Sequence, residues 1–374
     1  MLAEQQPSPQ LVNQRDLPAH FLLRADHYTN PAWLPIEKKH IFQKTWLYIG
    51  DSAQLAVGQV WAKQVVGQPV VITCLGPGEF KAFHNVCPHR ASLLCNQTGI
   101  HSQKHLVCPY HAWVYDLHGN LVGAPAQPKF SDTFKPENYP LSPIRLESWS
   151  GFLFICFSDD APSLHDFLGS IPQHLGHHRR GQTRLLLSQR QVVNCNWKNF
   201  HDNTLCDYHV AIAHRHTLHK VQGPIKHYSH HLETYTNCLR TPVTPDWQAE
   251  NTALPDLPKL SQTAFFTYGI FPNLHLLGLP NGMLAWLYIA PLTSNTCELR
   301  SEVYGIPELS PSIATLKADF DAFTSEDIIL TENVQKGYAS GAYTPGPVNQ
   351  LEARIVHQQQ LILDFISQTS NPTH

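Results

Sequence analysis

The sequence predicts an α+β chain of two domains: a small antiparallel β domain, then a larger domain whose antiparallel sheet is flanked by helices. Three observations predict it. Across 60–157, short β-rich runs (GQPVVITCL, HLVCPYHAWVYDL, GFLFICF) alternate with turn signals such as Gly76-Pro77-Gly78 and His118-Gly119-Asn120. The composition shifts at 158–185, where SDDAPSLHDFL and HHRRGQTR read as a linker or a surface helix and turn. Beyond that point strand and helix patterns mix. A chain of 374 residues, 42% of them hydrophobic, is long enough for two sizeable cores.

Taken in order, residues 1–20 are polar and Pro-containing and read as a flexible arm. A mixed helical pattern over 26–50 (Ile36, Glu37, Ile41, Phe42) runs into TWLYIG. The expected division is 1–45 for the arm and a helix packing on the second domain, 46–160 for the β domain, and 161–374 for the second domain. That second domain reads as a strand, a helix around 197–215, strands through 262–306 and helices from about Pro311 onward. The segment QLEARIVHQQQLILDFI has helical apolar spacing and is expected to pack on the same domain. There are no internal repeats.

Composition narrows the function classes. A net charge of −3 supplies no basic field for nucleic acid, and the apolar content excludes intrinsic disorder. The most apolar long stretch, 274–292, is broken by Pro280, Asn281 and Gly282, so no membrane span is expected. Nine scattered cysteines and a start without a secretory leader point to a reducing, cytoplasmic setting rather than a disulfide framework. The 24 histidines favour metal chemistry.

Two constellations carry that chemistry. Cys87-Pro88-His89 and Cys108-Pro109-Tyr110-His111 place one thiol and one imidazole on each of two short loops. Zinc accepts such a set, and so does a [2Fe–2S] cluster in which two His replace two Cys on one iron. A structural zinc site usually pairs C-x2-4-C with H-x3-5-H; here each loop supplies one of each type, and the spacing favours iron. Trp113 is expected to pack beside the metal and exclude water, with Gly119 and Asn120 serving a turn and Cys95 a small buried residue. Acceptors are expected for the outer N–H groups of His89 and His111.

The flanking text, CPHRASLL and CPYHAWVYDLHGNL, closely resembles the Rieske cluster signature C-x-H-R … C-P-x-H-x-W over roughly 55–160. The resemblance implies that Cys87, His89, Cys108 and His111 hold a [2Fe–2S] Rieske cluster. The loop C-x-x-C pair of respiratory-chain Rieske proteins is missing, which points to the oxygenase branch.

The second constellation runs Asn196-Trp197-Lys198 … Asp202-Asn203 … Cys206-Asp207-Tyr208-His209 … His214. On an ideal helix His209 and His214 lie about 140° apart, so they converge only where the helix is interrupted or widened. The segment resembles the catalytic domain of Rieske non-haem iron oxygenases, with its N-W-K, E-N and D/E-x-Y-H-x4-H pattern. The resemblance implies a mononuclear Fe(II) held by His209, His214 and a carboxylate from SEDIILTENVQKG; Asp327 is assigned, with Glu326 its neighbouring competitor.

One departure matters. The family acid three residues before the first His, which bridges the iron to a neighbouring subunit's Rieske histidine, is Cys206 here, and Asp207 follows. Asp207 is the first candidate for the bridge, through a local irregularity. Help from Asp202, where the family has Glu, or a route through Cys206 or water are the alternatives. Asn203 completes the altered E-N pair.

The implied function is a terminal oxygenase component. It would use O2 and electrons relayed through the Rieske cluster to hydroxylate, dioxygenate or demethylate a small organic substrate. A homotrimer is implied, with an NAD(P)H-dependent reductase or ferredoxin as electron donor. Phe265, Phe266, Tyr268, Phe271, Trp286 and Tyr288 can wall a pocket for an arene or a quaternary amine, though sheet core is their plainer role; His216 and His219 are not expected to be ligands. Two other readings stand beside this one: an electron carrier with a degenerate mononuclear site, and a zinc-stabilised module.

Overall fold

The computed structural model describes residues 11–179 and 182–367, and the chain divides into two compact units, Phe42–Leu164 and Met1–Ile41 with His165–His374. The first ten residues of the expected arm lie outside the described residues. From Leu11 the chain is tied down: Gln14 donates to the Val348 carbonyl at 3.1 Å, and His20 bridges Pro347.

The smaller unit is built on a seven-stranded antiparallel sheet. Its order is Leu47–Asp51, Phe152–Cys156, Pro143–Trp149, Glu79–His84, Gln68–Gly76, Gln59–Val65, Gly99–Ser102. Two of its hairpins turn on two residues, Val66-Gly67 and Ser150-Gly151, each pair with positive φ. That primed geometry matches the twist of the strands it joins and explains the glycine in second place. A three-stranded sheet, Leu106–Val107, Val114–Tyr115 and Leu121–Gly123, carries the second Cys/His loop. The core between them includes Val60, Val71, Phe83, Leu106, Tyr115 and Leu121, with Cys87, Cys108 and Trp113 inside it; Cys95 packs at its edge, half-buried.

The larger unit is also a seven-stranded antiparallel sheet, ordered Arg184–Val193, Cys297–Gly305, Leu284–Pro291, Leu274–Gly278, Ala264–Ile270, Thr236–Pro242, Ser229–Leu232. Two of its strands, Ser229–Leu232 and Thr236–Pro242, have no counterpart in the sequence-based expectation. The expected helix around 197–215 is broken into Trp197–Thr204 and Val210–Ala213, and the expected C-terminal helices are Ile313–Ala339 and Ala353–Ser367.

The long helix buries a stripe of Leu316, Phe320, Thr324, Asp327, Thr331 and Gln335, spaced by three or four residues so that one face is covered. Its lower half is polar because it hydrogen-bonds to Trp197–Thr204 and to Asn196, which caps that helix. Asn196 N–H donates to Gln335 at 3.0 Å, Asn199 to the Thr331 carbonyl at 2.8 Å, and Asn203 to Asp327 at 2.6 Å. The Asn196 backbone N–H and the Asn199 and Asn203 side chains, at helical spacing, thus fix the register of the two helices. Glycine at 269 lets the end of the shorter helix approach the sheet: a Cβ there would lie 2.3 Å from Leu205 Cδ2.

Candidate metal centres

In the smaller unit the two Cys/His loops are copies of one turn. In each, the N–H of the fourth residue on bonds back to the cysteine carbonyl (Ala91 to Cys87, 2.9 Å; Ala112 to Cys108, 3.0 Å), and the cysteine N–H reaches the carbonyl of the fifth (Ser92 and Trp113, both 2.8 Å). Ala91 and Ala112 both take positive φ, at 58° and 55°, closing the turns. The duplicate loops face each other, with the His89 and His111 rings 4.6 Å apart. Trp113 stacks on His89 at 4.7 Å and 3°, as expected of a residue that covers the site.

The donor chemistry of this set fits a metal cluster. His89 Nδ1 and His111 Nδ1 are buried without a partner among the described residues, a cost of about 1–3 kcal/mol each unless something binds there. Burial raises the Cys108 thiol, but backbone N–H groups of Tyr110 and His111 aimed at the sulfur, with its neighbours, hold it below its ordinary range. That environment favours a thiolate at Cys108, while burial pushes the Cys87 thiol up. The Tyr115 hydroxyl lies 3.5 Å from Cys87 Sγ.

In the larger unit His209 and His214 converge because neither is inside a helix. His209 precedes and His214 follows the single turn Val210–Ala213, closed by Ala213 N–H to the His209 carbonyl at 2.8 Å and His214 N–H to the Val210 carbonyl at 3.1 Å. Their Nε2 atoms are 3.2 Å apart. Asp327 Oδ1 lies 2.9 Å from His214 Nε2 and 3.4 Å from His209 Nε2. Metal bonds of about 2.1 Å at right angles would put donor atoms about 3 Å apart. The triangle has that size.

Electrostatics agree. Burial raises the Asp327 carboxyl, yet the two imidazoles hold it below the ordinary carboxylate range. Burial works against charge on His209, yet Asp327 and Cys206 raise its imidazole to about 10. In both groups the partner charges outweigh burial, so the triangle favours positive charge between its donors.

Glu326 is not the third corner. Its carboxylate accepts from His214 Nδ1 and from the Thr217 hydroxyl, both at 2.7 Å, so it sets the tautomer that leaves His214 Nε2 free for a metal. Asn203 holds Asp327 from the other side. Adjacent on the helix, Glu326 and Asp327 divide the work of orienting and facing the centre.

Two expected residues go elsewhere. Asp207 does not reach the triangle: its carboxylate accepts from His230 Nε2 at 2.8 Å and from Arg354 at 3.1 Å, and it is 3% exposed, so its oxygens are committed inside the unit. Cys206, not Asp207, is the neighbour that joins Asp327 in raising the His209 imidazole. Asp202 binds the Tyr28 hydroxyl at 2.6 Å and Gln359 at 3.1 Å, which makes it an anchor for the N- and C-terminal segments. Arg354, His230 and Tyr28 went unforeseen because they come from distant segments with no motif of their own.

Next to the triangle is a cavity of about 430 Å3, counting its open mouth. Val210, Leu218, Leu277, Leu287 and Phe323 form its apolar wall. None of the six expected aromatics lines it. Phe266, Tyr268, Trp286 and Tyr288 alternate with Thr267, Ala285 and Leu287 along their strands and so face the other side of the sheet, where Phe266 and Tyr268 stack. They are sheet core. His216 and His219 take no part in the triangle.

A two-unit α+β chain with a four-donor Cys/His set and a two-His, one-carboxylate triangle defines the class of a Rieske-type non-haem iron oxygenase. The comparisons agree: residues 45–144 match the model of the Rieske [2Fe-2S] domain, and residues 173–368 that of the ring hydroxylating alpha subunit (catalytic domain). The chain belongs to the Rieske oxygenase alpha-subunit family, and it is an oxidoreductase whose cofactors are a Rieske cluster and a mononuclear iron, with O2 as co-substrate.

Among its relatives, the choline monooxygenase of Atriplex hortensis chloroplasts is 30% identical over 332 residues, covering 85% of this chain and 72% of that one. The carnitine monooxygenase oxygenase subunit of Escherichia coli K12 is 29% identical, covering 87% and 85%. The fold is shared with the quaternary ammonium Rieske monooxygenase CntA (TM-score 0.78, 23% identity, 96% and 99% covered) and with naphthalene 1,2-dioxygenase from Rhodococcus sp. (0.72, 19%, 93% and 95%).

Proposed function

We propose that His209, His214 and Asp327 hold the mononuclear iron of this terminal oxygenase, and that Cys87, His89, Cys108 and His111 hold its Rieske cluster. The observation that carries the reading is the donor triangle, with edges of 2.9, 3.2 and 3.4 Å, opening on a cavity with an apolar wall. His209, His214 and Asp327 would hold a non-haem iron, which when bound would supply O2 activation with electrons from the cluster. The chain's own part is to orient and to exclude water. Glu326 fixes His214, Asn203 fixes Asp327, and Leu218, Leu277, Leu287 and Phe323 desolvate the face where substrate enters.

The proposed division is 46–160 for cluster and electron entry and 161–374 for catalysis, with 1–45 packing on the catalytic part. The proposed electron donor is an NAD(P)H-dependent reductase or ferredoxin, and the proposed working form a homotrimer in the cytoplasm. No helix among the described residues is long and apolar enough to cross a membrane. The names of the relatives support a quaternary amine as substrate. With a surrogate reductase and a panel of carnitine, choline, glycine betaine and simple arenes, substrate-dependent NADH consumption matched by oxygenated product supports the reading. NADH consumption without product from any compound counts against it.

One observation favours an electron carrier instead: Cys206 stands where the family has an acid, and Asp207 is paired away. Iron content decides. About three irons per chain fit an oxygenase, and two fit a carrier.

A further inference from the structure

The polar side chains around the cavity are nearly all committed to protein partners. Asn203 donates to Asp327, the Thr204 hydroxyl to the His201 carbonyl, and Thr267 Oγ1 accepts from Arg354. Asp207 is held by Arg354 and His230. Two are not. Gln222, 2% exposed, and His275, 5% exposed, both line the cavity, and Gln222 Oε1 and His275 Nδ1 have no hydrogen-bond partner among the described residues.

Each unmet group costs about 1–3 kcal/mol, and these two sit around one space beside the triangle. They come from separate elements: Gln222 ends the turn His219–Gln222 that follows the second His, and His275 lies on Leu274–Gly278, two residues before the cavity-lining Leu277. Burial, reinforced by Arg354 nearby, pushes the His275 imidazole well below its ordinary range, so it is neutral.

We infer that Gln222 and His275 are the substrate's polar anchor, taking a neutral hydrogen-bonding group, a hydroxyl or carbonyl, while the aliphatic wall takes the rest of the molecule. A primary amide offers two donors and an acceptor, a neutral imidazole one of each; neither brings a charge to pair with an ion. A bare trimethylammonium head has no hydrogen bond to exchange. Phe323 is the single aromatic ring among the lining residues, short of the aromatic cage that such a head selects. The inference rests on reading this cavity as the oxygenase's substrate site.

The test is binding to the iron-loaded full chain by calorimetry, without reductant, using probe pairs that differ by one hydroxyl: choline against ethyltrimethylammonium, and benzyl alcohol against toluene. In at least one pair the hydroxyl compound is expected to bind about tenfold tighter. Gln222→Met and His275→Leu should each shrink that preference to about twofold or less and leave the melting temperature equal or raised, since each removes an unmet polar group. No preference in any pair overturns the inference, as does a preference that survives both variants. A melting temperature several degrees lower in both variants overturns it too, because the groups would then be structurally satisfied. Turnover is not part of this readout. Absent turnover with the whole substrate panel would strike the oxygenase reading and leave the binding comparison standing.

Discussion

The two proposed metal centres are built on opposite principles. The four donors of the smaller unit lie within Cys87 to His111, on two copies of one turn, each closed by the same pair of backbone hydrogen bonds. The triangle of the larger unit joins His214 to Asp327 across 113 residues and depends on the Asn199 and Asn203 side chains and the Asn196 N–H to set two helices in register. A local site is specified by its own loop and survives damage elsewhere. A site assembled from distant segments inherits every weakness of the packing that brings them together. The comparison can be broken by mutation.

The largest effect is expected at the triangle. His209→Ala should abolish turnover and take iron from about three to about two per chain, with the visible Rieske spectrum unchanged. Cys108→Ser should do the reverse to colour, bleaching the protein. If His209→Ala bleaches it as well, the two centres are not independent and the contrast fails.

Next comes the buried pair behind the catalytic helix. Glu37 accepts from both Trp197 Nε1, at 2.8 Å, and the Lys198 ammonium, and both members of the ion pair are almost wholly buried. Glu37→Ala leaves a buried cation whose charge burial already opposes. It should destabilise the larger unit by about 3–5 kcal/mol in thermal or chemical denaturation. A loss under about 1 kcal/mol would mean that water reaches Lys198.

This difference also governs what could be read from the sequence. The paired Cys/His loops were legible because the proposed donors, the turns that carry them and Trp113, which stacks on His89, sit within a few residues of one another. His209 and His214 were legible as residue types but not as geometry: their helical spacing points them apart, and only the breaks on either side of Val210–Ala213 turn them together. Asp207 was misplaced because what captures it, Arg354 and His230, comes from a terminal helix and an unforeseen edge strand. The aromatic strands were visible, but which face of a sheet meets the site is decided by the helix that packs there, not by alternation alone.

A smaller effect is expected from Glu326→Gln. Its carboxylate orients His214 without touching the triangle, and removing such a partner typically costs about 10–100-fold in metal affinity or activity. Iron affinity should drop while the fold and the cluster spectrum persist. An unchanged affinity would show that the backbone bonds around His214 hold it unaided.

The smallest effect is a slope. Asp202 is fully buried, and burial raises its carboxyl to about 7 in spite of hydrogen bonds from Tyr28 and Gln359 and the nearby Lys198. Its ordinary value, 3.8, applies in the unfolded chain. Between those two values the folded state keeps a proton that the unfolded state has lost, so the folded state binds more protons and stability falls as pH rises. The contribution is complete below about pH 4 and gone above about pH 7. Asp202→Asn removes the titration and keeps the shape. It should match the wild type near pH 4, exceed it in melting temperature at pH 8, and flatten the decline between. If the variant shows the wild-type slope, Asp202 is ionised in the fold, and the anchor joining the terminal segments to the catalytic helix is an ion–dipole contact rather than a hydrogen bond between neutral groups.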